Sequence, residues 1–180
     1  MRIKPMLFSL IALASCNPTE NSKDIKLLDQ RENRPAQQSS IEAHRDFLKK
    51  EVESIKTYIA ERELDLDRNG TGIFYQIDSL GAGENPQTND EVSYRYKISM
   101  LNGALLYASP EGKNAQLRID REDAEIGLHE ALKMLRVGDK GLFILPSHRA
   151  FGVAGDQNKV PPFTALVYEL ELIDIQKQNP

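Results

Sequence analysis

The amino-acid sequence predicts an α+β domain: one helix laid across an antiparallel sheet, with a helical extension ahead of it. Three observations carry this. Val92, Tyr94, Tyr96, Ile98 and Met100 alternate with polar residues, the period of a strand with one apolar face. Leu166, Tyr168, Leu170 and Leu172 repeat that period, with Glu169 and Glu171 on the opposite side. Between these stretches, Ala124, Leu128, Ala131, Leu132 and Leu135 line up along one side of a helix. One helix against one sheet makes a single core.

With 180 residues, 40% hydrophobic content and a net charge of −4, the chain is long enough for one ordinary domain plus extensions and reads as soluble and globular. Its lysines and arginines are interspersed with acids and form no basic patch, which argues against a nucleic-acid partner. The single cysteine, Cys16, rules out an intrachain disulfide and a multi-cysteine metal site. His44, His129 and His148 show no metal-ligand spacing and are expected in solvent.

Residues 1–15 carry Arg2 and Lys4 and then an apolar run of about nine residues, too short to span a bilayer, which needs about 20. The run fits a secretory signal peptide. It ends in Leu13-Ala14-Ser15-Cys16, a match to the bacterial lipobox, whose cysteine is lipidated and becomes the new N-terminus. A plain signal peptide with an accidental cysteine is the alternative. A multiply acylated cysteine anchors a chain stably to a membrane, with the inner or outer membrane left open. The polar stretch that follows, up to residue 38, lacks apolar periodicity and reads with Cys16 as a lipidated, flexible tether over 16–38.

A helix is predicted over 39–68. Ser39 and Glu42 make a capping-box start, and Ile41, Leu48, Val52, Ile55, Ile59 and Leu66 follow at spacings of three, four and seven. Only a narrow stripe is apolar, so over 41–66 this helix needs a surface to pack on, either its own domain or a second copy of the chain in a homodimer. Asp65-Leu66-Asp67-Arg68-Asn69-Gly70 matches the first half of a calcium loop, but Gln76 stands where a bidentate Glu is needed. A helix end running into an Asn-Gly turn accounts for the same residues.

The globular domain is expected over 71–176, with strands at 72–78, 91–101, 115–119, 141–146 and 165–175 and the helix near 124–135. A loop of about twenty residues joins the last two strands, and loops of that length inside a compact domain are usually functional or disordered. This one carries Phe151, Val153, Val160 and Phe163, more apolar bulk than a solvated linker holds, and reads as a flap over a pocket.

The series I-L-P-S-H-R-A-F-G, then V-P-P and L-V-Y-E-L-E-L-I, together with V-S-Y-R-Y, N-G-A-L-L-Y and G-L-H-E-A-L-K-M-L-R-V-G-D, resembles the FKBP-type peptidyl-prolyl isomerases over roughly residues 88–175. With the lipobox, the chain is similar to the gliding-motility-associated, lipid-anchored branch of that family. The resemblance implies a strongly twisted sheet half-wrapping the helix, with the pocket between them. It also implies isomerisation of the bond preceding proline in exported polypeptides at the cell envelope, on the periplasmic side or at the outer membrane, with no cofactor. A non-enzymatic proline-segment-binding or chaperone module on the same fold is the alternative.

Residue by residue, the resemblance places Tyr94 and Tyr168 in the pocket wall with Leu106 beside them, Leu128 at the floor, Phe151 in the flap and Val160 before the Pro161-Pro162 turn. The backbone N–H of Glu125 becomes the donor to the substrate carbonyl. Taken singly, Tyr94, Leu128 and Tyr168 fit a core equally well; their joint order carries the functional reading. The chain departs from the family pattern at Tyr107, where an acid is common, and at Phe151, which lacks the usual flap hydroxyl. Ala124-Glu125 replaces Val-Ile, and an aromatic is missing near Ala115. These departures imply a wider, less aromatic cavity, weak or altered activity, and poor binding of the family's macrolide inhibitors, which a submicromolar affinity would contradict.

Overall fold

The computed structural model describes residues 21–78 and 81–178, with side chains described from residue 38 onward. The expected signal peptide and Cys16 lie outside the described residues. The chain divides into two units between Asp46 and Phe47.

The first helix, α1, runs Asn21–Glu61, which corrects the expectation at both ends. Lys, Glu, Gln and Arg form helix readily without an apolar face. The missing periodicity before residue 39 therefore did not exclude a helix, and Ser39 and Glu42 lie inside α1 rather than at its start. At the far end Glu63 takes a φ of 53°. The Glu63 N–H donates to the Ala60 carbonyl (3.2 Å) and the Leu64 N–H to the Ile59 carbonyl (3.0 Å), the paired bonds of a left-handed helix stop. Leu66 therefore lies beyond the helix.

Among the described residues seven strands form one sheet: β1 (Asp67–Arg68), β2 (Phe74–Asp78), β3 (Glu91–Met100), β4 (Leu105–Ala108), β5 (Ala115–Arg118), β6 (Lys140–Leu145) and β7 (Leu166–Gln176). Their order is β1-β2-β6-β7-β3-β4, with β5 also on β3, and every pairing is antiparallel. The half calcium loop is β1 and a turn. There Asn69 Oδ1 accepts hydrogen bonds from the backbone N–H groups of Thr71 (3.1 Å) and Ile73 (2.9 Å). Strand β4 was not foreseen: it is four residues long, joined to β3 by an Asn102-Gly103 turn in which Gly103 takes a φ of 85°.

The long pair β3 and β7 forms the middle of the sheet, in the register Tyr94↔Leu172, Tyr96↔Leu170 and Ile98↔Tyr168. Alternation sends Tyr94, Ile98, Tyr168 and Leu172 to one face, where they meet Leu128, Leu132 and Leu135. The opposite face has its own cluster, in which Phe74, Ile144 and Val167 pack with Ile55 and, less buried, Val52 and Ile59 of α1. That part of the predicted apolar stripe finds its surface on the domain's own sheet.

The second helix, α2, is Ile126–Leu132, shorter than expected. Glu125 ahead of it is extended (φ −61°, ψ 134°) and makes no side-chain cap. His129 is 6% exposed, correcting its expected place in solvent. Its Nδ1 accepts from the Asp120 N–H (3.1 Å) and its Nε2 lies 3.2 Å from the Glu122 carbonyl. In this arrangement Nδ1 serves as the acceptor and Nε2 as the donor. The ring thereby fixes the turn that leads into α2.

Candidate functional site

A cavity of about 660 Å³ opens between α2 and the sheet, within the range of sites that hold small ligands or peptide segments. The sheet supplies Tyr94, Tyr96 and Ile98 from β3, Tyr107 from β4, Ala115 and Leu117 from β5, and Tyr168 from β7. The approach to α2 supplies Glu122 through Glu125, and the helix itself Leu128. Ala150 and Phe151 enter from the loop between β6 and β7, residues 146–165, the expected flap.

Five of the seven predicted site residues meet here: Tyr94, Glu125, Leu128, Phe151 and Tyr168. Leu106 and Val160 do not line the cavity; both are buried in the adjoining core. Tyr107, which pairs with Ile98 on β3, is the β4 residue that reaches the cavity. Tyr96, Tyr107 and Glu122 were missed as wall residues. For Tyr96 the signal was available, since it sits two residues from Tyr94 on the same alternating face, and the two rings lie 5.8 Å apart.

The wall is apolar but holds a few placed polar groups. The Tyr168 hydroxyl donates to Glu125 Oε1 (3.1 Å), and burial, then the Glu125 carboxylate, push the Tyr168 phenol well above its ordinary value. Tyr94 is raised too, first by burial and then by Tyr96, Glu125 and Glu122. Both phenols are therefore neutral donors at neutral pH. The Tyr94 hydroxyl and the Glu125 N–H have no hydrogen-bond partner among the described residues, so two donors remain available to an occupant. A second hollow of about 610 Å³ lies against the outer charged positions of β3 and β7. There Arg95 and Lys97 pair with Glu171 and Glu169.

The family model for FKBP-type peptidyl-prolyl cis-trans isomerase matches residues 82–173, about half of the chain, and this span includes all of these wall residues. The chain is 33% identical over 113 residues to the FKBP-type peptidyl-prolyl cis-trans isomerase FkpA of Buchnera aphidicola subsp. Schizaphis graminum, covering 62% of this chain and 44% of the relative. It is 31% identical over 116 residues to FkpA of Escherichia coli strain K12, covering 64% and 42%. The chain thus spans less than half the length of these curated relatives. Among solved structures, the crystal structure of FkpA from Escherichia coli superposes with a TM-score of 0.63 at 25% identity, over 88% of this chain and 74% of that one. A peptidyl-prolyl cis-trans isomerase from Pseudomonas syringae pv. tomato superposes with a TM-score of 0.61 at 27% identity, over 74% and 96%.

Proposed function

Because the chain belongs to the FKBP-type peptidyl-prolyl cis-trans isomerase family, we propose that it accelerates rotation about the bond preceding proline in polypeptides folding at the cell envelope. The observation that carries this reading is the gathering of Tyr94, Glu125, Leu128, Phe151 and Tyr168 round one cavity, with the Tyr94 hydroxyl and the Glu125 N–H unpaired among the described residues. A peptide bond resists rotation by about 18–20 kcal/mol because resonance holds it planar, and an unaided X-Pro bond turns over in tens of seconds or more. No covalent bond is made or broken, so the chemistry asks for neither nucleophile nor metal. An apolar hollow disfavours the charge-separated planar amide, and donors held for the twisted imide lower the barrier. In this role the Glu125 N–H serves the substrate carbonyl, Leu128 forms the floor beneath the proline ring, and Phe151 covers it.

The test is cis-to-trans conversion of a proline-containing peptide, with and without the protein. Acceleration that disappears in Tyr94→Ala while the fold persists supports the enzyme. Absence of acceleration with retained binding of a proline-containing segment assigns the cavity to a binding module instead.

We further propose that Cys16 carries a lipid and holds the domain at the membrane, on the periplasmic side or at the outer membrane, as in the gliding-motility lipoprotein branch. The Leu13-Ala14-Ser15-Cys16 sequence supports this, and Cys16→Ser should move the protein from the membrane fraction to the soluble one. Pairing of two copies through α1 is the reading for the stripe near Ile41, which is 55% exposed; sedimentation of wild type against Ile41→Glu tests it.

A further inference from the structure

The tip of the flap, residues 153–160, is a tight loop organised by one carboxylate. Asp156 Oδ1 accepts from the Asn158 N–H (2.9 Å) and the Val160 N–H (2.7 Å), while Asp156 Oδ2 accepts from the Tyr107 hydroxyl. Gly155 takes a φ of 64°, and a Cβ there would lie 2.1 Å from the Val160 carbonyl, so this loop has little freedom to repack. Two more ties leave the tip. Asn158 Nδ2 donates to the Tyr107 hydroxyl (3.3 Å), and Lys159 Nζ donates to the Leu106 carbonyl (3.0 Å). The Lys159 ammonium also sits 4.9 Å from the centre of the Tyr107 ring. Among the described residues, every side-chain hydrogen bond leaving the tip ends on Leu106 or Tyr107.

Tyr107 also lines the cavity. Phe151, the flap residue that faces the same space, has no hydroxyl with which to fasten the flap. We infer that Tyr107 and Asp156 form a clasp holding the flap over the cavity, which makes Tyr107 a positioning residue for the proposed isomerisation. The inference rests on the isomerase reading and reverses what the sequence implied at this position: Tyr107 strengthens the site instead of weakening it. The chemistry of the pair is favourable at neutral pH. Burial by itself would raise the Asp156 carboxyl, but hydrogen bonds from Tyr107 and the loop backbone outweigh it and hold the group below the usual carboxylate range. Tyr107 is raised, first by that same hydrogen bond. Acceptor and donor are therefore both in the required form.

An acid at position 107 would set one carboxylate against another. The decisive variant is therefore Tyr107→Asp, which restores the residue type common in the family. With the full chain and a proline-containing peptide, Tyr107→Phe should lower kcat/KM by about threefold to tenfold, mostly through KM, the scale of one ordinary intramolecular hydrogen bond. Tyr107→Asp should fall below Tyr107→Phe. The double variant Tyr107→Phe/Asp156→Asn should be no worse than the poorer single one, since both remove the same bond. Hydrogen exchange at Asn158 and Val160 should speed up in Tyr107→Phe while the amides of β3 and β7 stay protected. A Tyr107→Asp chain as active as wild type, or Tyr107→Phe with unchanged KM and unchanged tip exchange, overturns the clasp. A wild-type chain inactive on every proline peptide overturns the isomerase reading, and with it the catalytic role of the clasp.

Discussion

The cavity has two walls built on different principles. On one side Tyr94, Leu128 and Tyr168 stand on β3, α2 and β7, packed into the main core and at most 7% exposed. On the other side Ala150 and Phe151 are carried by a loop whose tip is held by hydrogen bonds ending on one strand residue pair. The first wall is positioned by area removed from water, which is large, non-directional and insensitive to any one polar atom. The second is positioned by a few directional bonds at the solvent boundary, each small. Substitutions in the first wall should cost more stability than substitutions in the second, which should be read mainly in substrate affinity.

The largest expected effect attacks the packed side. Phe143 is fully buried on β6, stacked 6.4 Å from Tyr75, and faces Tyr168 across the β6–β7 register. Phe143→Ala should cost about 3–5 kcal/mol, the usual range for emptying an aromatic from a core, read as a lower urea midpoint. If flap substitutions prove equally destabilising, the contrast between the walls fails.

The next effect lies where the two walls meet. Gly127 in α2 sits so close to the flap root that a Cβ there would lie 1.8 Å from Leu145 Cδ2 and 2.6 Å from the Arg149 carbonyl oxygen. Gly127→Ala should cost about 1–3 kcal/mol as an overpacked contact. Because the backbone at Arg149 must yield, isomerisation should fall by more than the loss of folded protein explains. Circular dichroism and activity on the same preparation separate the two losses.

The packed wall was largely legible in the sequence because periodicity is a direct imprint of burial. Alternation at Val92–Met100 and Leu166–Leu172 placed Tyr94 and Tyr168 on one face, and helical spacing placed Leu128 opposite them. The flap was legible as an object, from its length and apolar bulk, but its fastening was not. Tyr107 and Asp156 are 49 residues apart, and nothing local to either announces the other. The same holds for His129, whose partners Asp120 and Glu122 are ordinary acids until the turn brings their backbone groups to the ring. The start of α1 escaped because residues 21–38 carry no apolar periodicity in the sequence, and periodicity was the signal read for helices.

A smaller effect sharpens the comparison within the packed wall itself. Tyr168→Phe keeps the ring and removes only the hydrogen bond to Glu125. Its cost should be about 1 kcal/mol, with an unchanged denaturant slope because no new surface is exposed. A loss as large as that of Phe143→Ala would mean that the polar contact, not the packing, holds this wall.

Acid should distinguish the two regions by the least. Asp90, on the packed side, is 4% exposed and accepts from the Gln87 N–H (2.8 Å) and Lys177 Nζ (3.0 Å). Burial acts to raise it, and these bonds, with one from the Gln178 N–H, outweigh that and hold it below its ordinary value. Burial acts to raise Asp156 on the flap too, but its hydrogen bonds from the Tyr107 hydroxyl and the loop backbone outweigh that and hold it below its ordinary value. A carboxyl depressed in the folded chain takes up its proton more readily once unfolded. The stability it contributes is therefore present above the ordinary Asp pKa of about 3.9 and is lost as pH falls through the lower folded value. Both groups thus predict a flat profile near neutrality and a decline in acid. Their shares differ, because Asp90 is shielded from solvent while interactions at the exposed flap tip are screened. In urea titrations at pH 7 and pH 3, Asp90→Asn should remove more of the acid-induced fall in midpoint than Asp156→Asn. The reverse ranking would mean that the flap, and not the sheet, carries the acid-sensitive part of the fold.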